Sequence, residues 1–351
     1  MARDRMSPKE RVRLALEGKQ TDRPLFCPAI YEHTAKLVGR SPSEVSRSAE
    51  LLEQAVLAEY ETYRPDMLTV GIDIYNIEAE ALGSKVWFPE AVDAVPIIKD
   101  RILGGLDDFR SLGMVEPASS GRMSLVLAAA KAVNDKVGGE VFVRGAISAP
   151  YSVAVELIGV EKLIFGMIER PDEVHEFLSF LTDVSTSYGK AFVDRGVEVC
   201  VFDSYAAPPL VSPSLYVDII LPHMKKLITA LKACGAEFVE YVIGGRTEPI
   251  AEHLFATGAD ILLCDFAADV NIFLERAKDT AVLVRRNISP VLIEQGPDEE
   301  LIMQIDGIRK LAAKHHNVII GTGAISYNTS AERVLMVKEL CLKKSGETKC
   351  G

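Results

Sequence analysis

Eight short apolar runs, each followed by helical sequence, constrain this chain more than any other feature. They cover residues 24–30, 67–72, 141–145, 197–202, 238–243, 261–264, 282–286 and 318–321. Each ends in small or polar residues before a helix-like segment, the pattern of βα units. Val-Cys-Val-Phe at 199–202 and Ile-Leu-Leu-Cys at 261–264 are continuously apolar, as parallel strands covered on both faces must be. Eight such units predict an α/β fold, a single (β/α)8 TIM barrel. A chain of 351 residues, 48% hydrophobic, is ample for its core. Ser7-Pro-Lys-Glu10 has the form of a capping box with Pro at the first helical position, and Arg170-Pro-Asp-Glu173 opens another helix similarly. Residues 85–89 and 95–99 predict a hairpin inserted after the second strand, and 106–121 a loop. The barrel is expected over 1–342, with a frayed polar tail at 343–351.

Composition removes several classes of partner. A net charge of -11, with no stripe of Lys and Arg interleaved with aromatics, argues against nucleic acid. No uncharged apolar run reaches ~18 residues, and no apolar core follows the charged N-terminus, so a cytoplasmic protein without a membrane partner is expected. Cys27, Cys200, Cys234, Cys264, Cys341 and Cys350 contain no C-x-x-C pair and read as small hydrophobes, not as a zinc knuckle or disulfide set. Of His33, His175, His223, His253, His315 and His316, none has metal-ligand spacing, and only His33 falls in a strand-end loop.

In barrels the chemistry sits on the loops after the carboxyl ends of the strands. Tyr31, Glu32 and His33 follow the first run; Asp73, Tyr75, Asn76, Glu78 and Glu80 the second; Ser148, Pro150 and Tyr151 the third; Asp203, Ser204 and Tyr205 the fourth. Arg246, Asp265, Asn287, Thr322 and Ser326 follow the later ones. Asp73, Glu80 and Asp203 are the expected catalytic carboxylates. Asp73 and Asp203 each end an apolar strand, where a charge needs a partner, and are expected to line the pocket. Tyr75, Asn76, Glu78, Tyr151, Arg246, Asp265 and Asn287 are the expected substrate-binding set, with no metal ligand. Glu78 and Glu80 are either a paired acid and base or helix-capping and ion-pairing groups. Arg246 either holds an anionic tail or pairs with Glu240 or Glu248. Trp87 and Phe88 are expected to pack beneath the hairpin.

Four tracts in order resemble the uroporphyrinogen decarboxylase superfamily, which includes corrinoid-dependent methyltransferases. They are Gly-Ile-Asp-Ile-Tyr-Asn-Ile-Glu-Ala-Glu-Ala-Leu-Gly at 71–83, Gly-Ala-Ile-Ser-Ala-Pro-Tyr at 145–151, Asp203 with Val-Ser-Pro at 211–213 and Leu-Pro-His-Met-Lys at 221–225, and Gly-Thr-Gly-Ala at 321–324. The resemblance covers most of the chain and implies a single (β/α)8 barrel. It also implies functions that the residues then sort. The decarboxylases neutralise a tetrapyrrole with arginines from the first loop, but Cys-Pro-Ala-Ile-Tyr-Glu-His at 27–33 has none. Asp73 matches their essential aspartate, whereas their tyrosine falls at Glu156 and their histidine at Thr322.

The methyltransferase branch carries His-x-Cys and a later Cys on zinc, which turns a thiol acceptor into a thiolate. In this sequence those positions are Val242, Gly244 and Ala324, none with a ligating side chain. The resemblance therefore implies a zinc-independent methyltransferase moving a methyl group between a corrinoid protein and a small non-thiol substrate. Tetrahydrofolate and methylated amines or ethers are such substrates, and Asp203, Asp265, Asn76 and Asn287 are suitable types for a pterin edge. No DxHxxG element is present, so the methylcobalamin or other corrinoid is expected on a separate protein. A homodimer is also expected. The alternatives are a carboxy-lyase of the decarboxylase type and a non-catalytic ligand-binding homologue.

Overall fold

A computed structural model describes residues 5–343. Eight parallel strands form one sheet rolled into a near-closed barrel: β1 (Phe26–Ala29), β2 (Met67–Val70), β5 (Phe142–Ser148), β6 (Glu198–Phe202), β7 (Val239–Val242), β8 (Ile261–Cys264), β9 (Leu283–Ile288) and β10 (Val318–Ala324). The sheet order is β1-β10-β9-β8-β7-β6-β5-β2. All eight strands fall where the apolar runs place them. At the seam between β1 and β2, Asp66 takes the part of a paired strand residue. Its N–H donates to Phe26 O at 2.9 Å and its carboxylate accepts from Phe26 N at 2.7 Å.

Alternation along the strands builds two separate cores. Outward residues such as Val199 and Val201 pack under the helices, while Cys200 and Phe202 turn into the barrel with Ile74, Ala146, Val242 and Leu263. Helix Pro8–Leu16 closes the amino end of the barrel, setting Val12 and Ala15 against Met67, Phe142, Phe238 and Ile261. Ser7 Oγ caps this helix by accepting from Glu10 N at 3.2 Å. Helix Pro171–Val193 starts where expected but without a side-chain cap; Arg170 is instead ion-paired with Glu173.

Between β2 and β5 lies the expected insertion, an antiparallel pair of β3 (Val86–Trp87) and β4 (Ile97–Ile98). The 106–121 segment is a loop that includes a 3-10 helix, Leu106–Ser111. Trp87 does not pack beneath the hairpin: it is 45% exposed, with the Lys99 ammonium 3.2 Å from its ring centroid. The tail expected to fray lies, beyond residue 343, outside the described residues. No helix among the described residues is long and apolar enough to cross a membrane.

Candidate active site

At the carboxyl ends of the strands a cavity of about 600 Å³ opens, with the hairpin strand β4 and Val95–Pro96 forming part of its rim. Tyr31 and Phe202 stand edge to face in its wall, ring centroids 5.6 Å apart, and Tyr75 and Tyr205 pack at 5.5 Å. Three polar groups punctuate this mainly apolar space.

The first follows β2. Asp73 accepts from Arg122 Nη1 at 3.0 Å and Nη2 at 2.7 Å, a bidentate pair, while Arg122 Nε reaches Glu80 at 2.6 Å. Asn76 donates to both Asp73 Oδ2 at 3.1 Å and Pro96 O at 2.7 Å, which fastens the hairpin to the mouth. In the second group, Arg101 is ion-paired with Glu156, whose other oxygen accepts from Tyr205 OH at 2.8 Å.

The third group comes from β8 and β9. Residues 285 and 287 share a face of β9, and both side chains project past Gly321 into the barrel. A Cβ on Gly321 would lie 2.5 Å from Asn287 Oδ1 and 2.8 Å from Arg285 Cγ, so only glycine leaves room for them. Arg285 Nε lies 3.1 Å from Glu240 Oε1, an ion pair too misaligned to count as a hydrogen bond. Glu240 is also ion-paired with Arg144, deep in the barrel. Asp265 accepts from Ala267 N at 3.0 Å. Burial raises its pKa, and the backbone N–H groups of Ala267 and Gly245 oppose that rise.

Residues 7–343 match the family described as uroporphyrinogen decarboxylase (URO-D). The chain belongs to the URO-D family. Within it, the methylcobamide:CoM methyltransferase MtbA of Methanosarcina mazei is 25% identical over 342 residues, 95% of this chain and 97% of that protein. MtaA of Methanosarcina barkeri, another methylcobamide:CoM methyltransferase, is 29% identical over 65% of this chain and 69% of its own. A uroporphyrinogen decarboxylase of Parasynechococcus marenigrum is 24% identical over 80% of each. A solved methyltransferase from Methanosarcina mazei superposes with a TM-score of 0.81 at 21% identity, covering 96% of this chain and 98% of its own, and so shares the fold.

In this URO-D chain the positions singled out from the sequence divide cleanly. Asp73, Tyr75, Asn76, Asp265 and Asn287 line the cavity. Asp203, expected to line it, does not: it is wholly buried behind the wall, accepting from Ser152 Oγ at 2.7 Å and Tyr241 OH at 2.9 Å. Burial pushes its pKa up to about 6 despite those donors. Glu78 is also off the cavity. One of its oxygens accepts from Ser148 N at 2.7 Å, the other is buried without a partner among the described residues, and burial moves the carboxyl up to about 7. Glu80 serves Arg122, Tyr151 is buried in helix Pro150–Ile158, and Arg246 is exposed outside the cavity. His33 is buried, joined to Tyr63 OH at 2.8 Å and Ser326 O at 3.1 Å.

Arg285, Arg101 and the rim of the hairpin were not among the candidates. Arg285 sits inside a strand, whereas strand-end position points only to residues beyond it; the alternation Arg285-x-Asn287 is the signal that marks it. Glu156, noted only as the position of a family tyrosine, is held there by its Arg101 and Tyr205 partners. Val242, Gly244 and Ala324, where the resemblance puts zinc ligands, all line the cavity and offer no donor side chain. A Cβ on Gly244 would lie 3.6 Å from Asp265 Oδ2, so one carboxylate borders the space that a ligand there would enter. Among the described residues no group of three or more His, Cys, Asp or Glu is placed to hold a metal ion.

Proposed function

We propose that this URO-D family member is a zinc-independent, corrinoid-linked methyltransferase. It moves a methyl group between a separate corrinoid protein and a small non-thiol substrate, tetrahydrofolate or a methylated amine or ether. The observation that carries this reading is the trio Val242, Gly244 and Ala324 on the cavity wall of a chain whose relatives include MtbA and MtaA. Those relatives are named for transfer to CoM, a thiol, and the wall here lacks the side chains that would activate one. The decarboxylase reading is disfavoured by charge. Arg101 and Arg285, the arginines lining the cavity, already face Glu156 and Glu240, leaving no cationic cluster for a polycarboxylate.

Methyl displacement asks the protein for alignment of donor and acceptor and for management of the proton on the heteroatom. A corrinoid protein docked at the open mouth would supply or take up the methyl group, while the cavity residues hold and orient the small substrate. Asp265, its pKa raised by burial and with no side-chain hydrogen bond among the described residues, is the open carboxyl that can accept from a bound substrate. Asp73 and Asn76 hold the rim in place, and Asp203 and Glu80 act through the neighbours they fix.

The test is methyl transfer from free methylcobalamin, followed in the visible under anaerobic conditions with tetrahydrofolate or coenzyme M as acceptor, with metal content assayed alongside. Demethylation with tetrahydrofolate in zinc-free protein is the expected result. Activity confined to coenzyme M and dependent on zinc would overturn the reading.

A further inference from the structure

The cavity wall built by β8, β9 and the segment after β1 carries polar groups that the protein does not satisfy. Asn287 is 3% exposed, its Oδ1 is buried without a partner, and no hydrogen bond joins its amide to any described residue. Arg285 is 2% exposed; its Nε is ion-paired with Glu240, and its terminal nitrogens have no hydrogen-bond partner among the described residues. Asp265 leans on backbone N–H groups and has no side-chain partner among them. Tyr31 adds a hydroxyl beside Phe202. Buried polar groups left open like this are stabilised by a ligand that pairs with them, and they reject one that cannot.

Charge narrows the ligand. Around this wall Arg144 and Arg285 stand against Glu240 and Asp265, two cations and two anions. Arg286, next along the strand, donates to the carbonyls of Asp265 and Ala268 and does not line the cavity. An ammonium ion would suit Asp265 and repel Arg285; a carboxylate would do the reverse. A neutral ring edge with an acceptor beside two donors satisfies both, with the Asn287 amide able to meet either.

We infer that this wall binds the 2-amino-4-oxopyrimidine edge of a reduced pterin. The ring carbonyl faces Arg285, and the ring N–H and amino group face Asp265 and Asn287. The Tyr31 and Phe202 rings supply an aromatic flank, and about 600 Å³ accommodates the bicycle with part of its tail. This rests on the methyltransferase reading, and among that reading's substrates it selects the pterin over the amines and ethers.

Anaerobic calorimetric titration with 5-methyltetrahydrofolate, its 2-desamino analogue and guanosine tests it. The expected result is binding of 5-methyltetrahydrofolate, weakened roughly 10- to 100-fold by Asp265→Asn and about tenfold by Asn287→Ala, with unchanged thermal unfolding of both variants. The desamino analogue should lose a similar factor. Guanosine binding as tightly as the pterin overturns the pterin assignment, and pterin binding indifferent to both substitutions overturns the wall. If no pterin binds while cob(I)alamin is still methylated from an amine or ether, the inference falls and the methyltransferase reading stands. If pterin binds as expected but no methyl group reaches or leaves any corrinoid, that reading falls instead.

Discussion

The two sides of the cavity are made of the same residue types and do opposite things. Toward β2 and the hairpin, Asp73, Asn76, Arg122, Glu156 and Arg101 satisfy one another. Toward β8 and β9, Asp265, Arg285 and Asn287 leave hydrogen-bonding capacity facing the cavity. A closed polar network fixes the shape of a mouth, whereas open groups on a rigid strand wait for a ligand. The difference teaches that an acid at a strand end is a scaffold or a binding group according to whether its partner is built in.

The sharpest way to break this comparison is Arg122→Ala. The substitution leaves Asp73 as a buried, uncompensated charge and should destabilise the protein by about 3–5 kcal/mol in urea unfolding. A loss below about 1 kcal/mol would mean that the mouth does not depend on the closed network. Next in size, Asp203→Ala leaves Ser152 Oγ without its acceptor and Tyr241 OH with only the longer contact to Tyr216 OH at 3.3 Å, costing about 1–3 kcal/mol by the same measurement. Cavity ligands should bind nearly as before wherever the variant is folded. Loss of binding with full stability would make Asp203 a cavity residue after all.

A pH series sharpens the scaffold side further. Glu78 has its folded pKa raised from 4.5 to about 7, so the folded state holds its proton longer than the unfolded chain. Its neutral form is fully stabilising below about pH 4.5, and that contribution is lost as pH rises toward 7. Wild-type melting temperature should therefore fall relative to Glu78→Gln across that window and run parallel to it above. Asp203, raised from 3.8 to about 6, acts with the same sign over the lower part of the range. The smallest effect is expected of Arg246→Ala. That side chain is exposed and off the cavity, so stability should move within about 0.5 kcal/mol and ligand binding not at all.

How far the sequence reaches varies with the interaction concerned. The barrel was legible because strand burial on both faces writes itself as continuous apolar runs, and because βα spacing is local. The hairpin was legible because its two short apolar runs, residues 85–89 and 95–99, lie close together in the chain. Asp73, Tyr75, Asn76, Asp265 and Asn287 were reached by strand-end position alone. Asp203 was not distinguishable from them, since its concealment depends on Ser152 and Tyr241, which lie 51 and 38 residues away in the chain. Arg285 was hidden by the opposite error: a charged residue within a strand looks like an interruption, yet alternation aims it at the same space as Asn287.

By itself, then, the sequence determined the eight-stranded α/β barrel, the carboxyl-end address of the cavity, and the side chains of Val242, Gly244 and Ala324 on its wall, which carry no donor atom. Each follows from periodicity or from what a single residue is able to donate. Only the tertiary structure decided which polar groups are paired and which face empty space. Hydrogen bonding saturates between partners such as Arg122 and Asp73, 49 residues apart, and no local pattern records which donors are already taken.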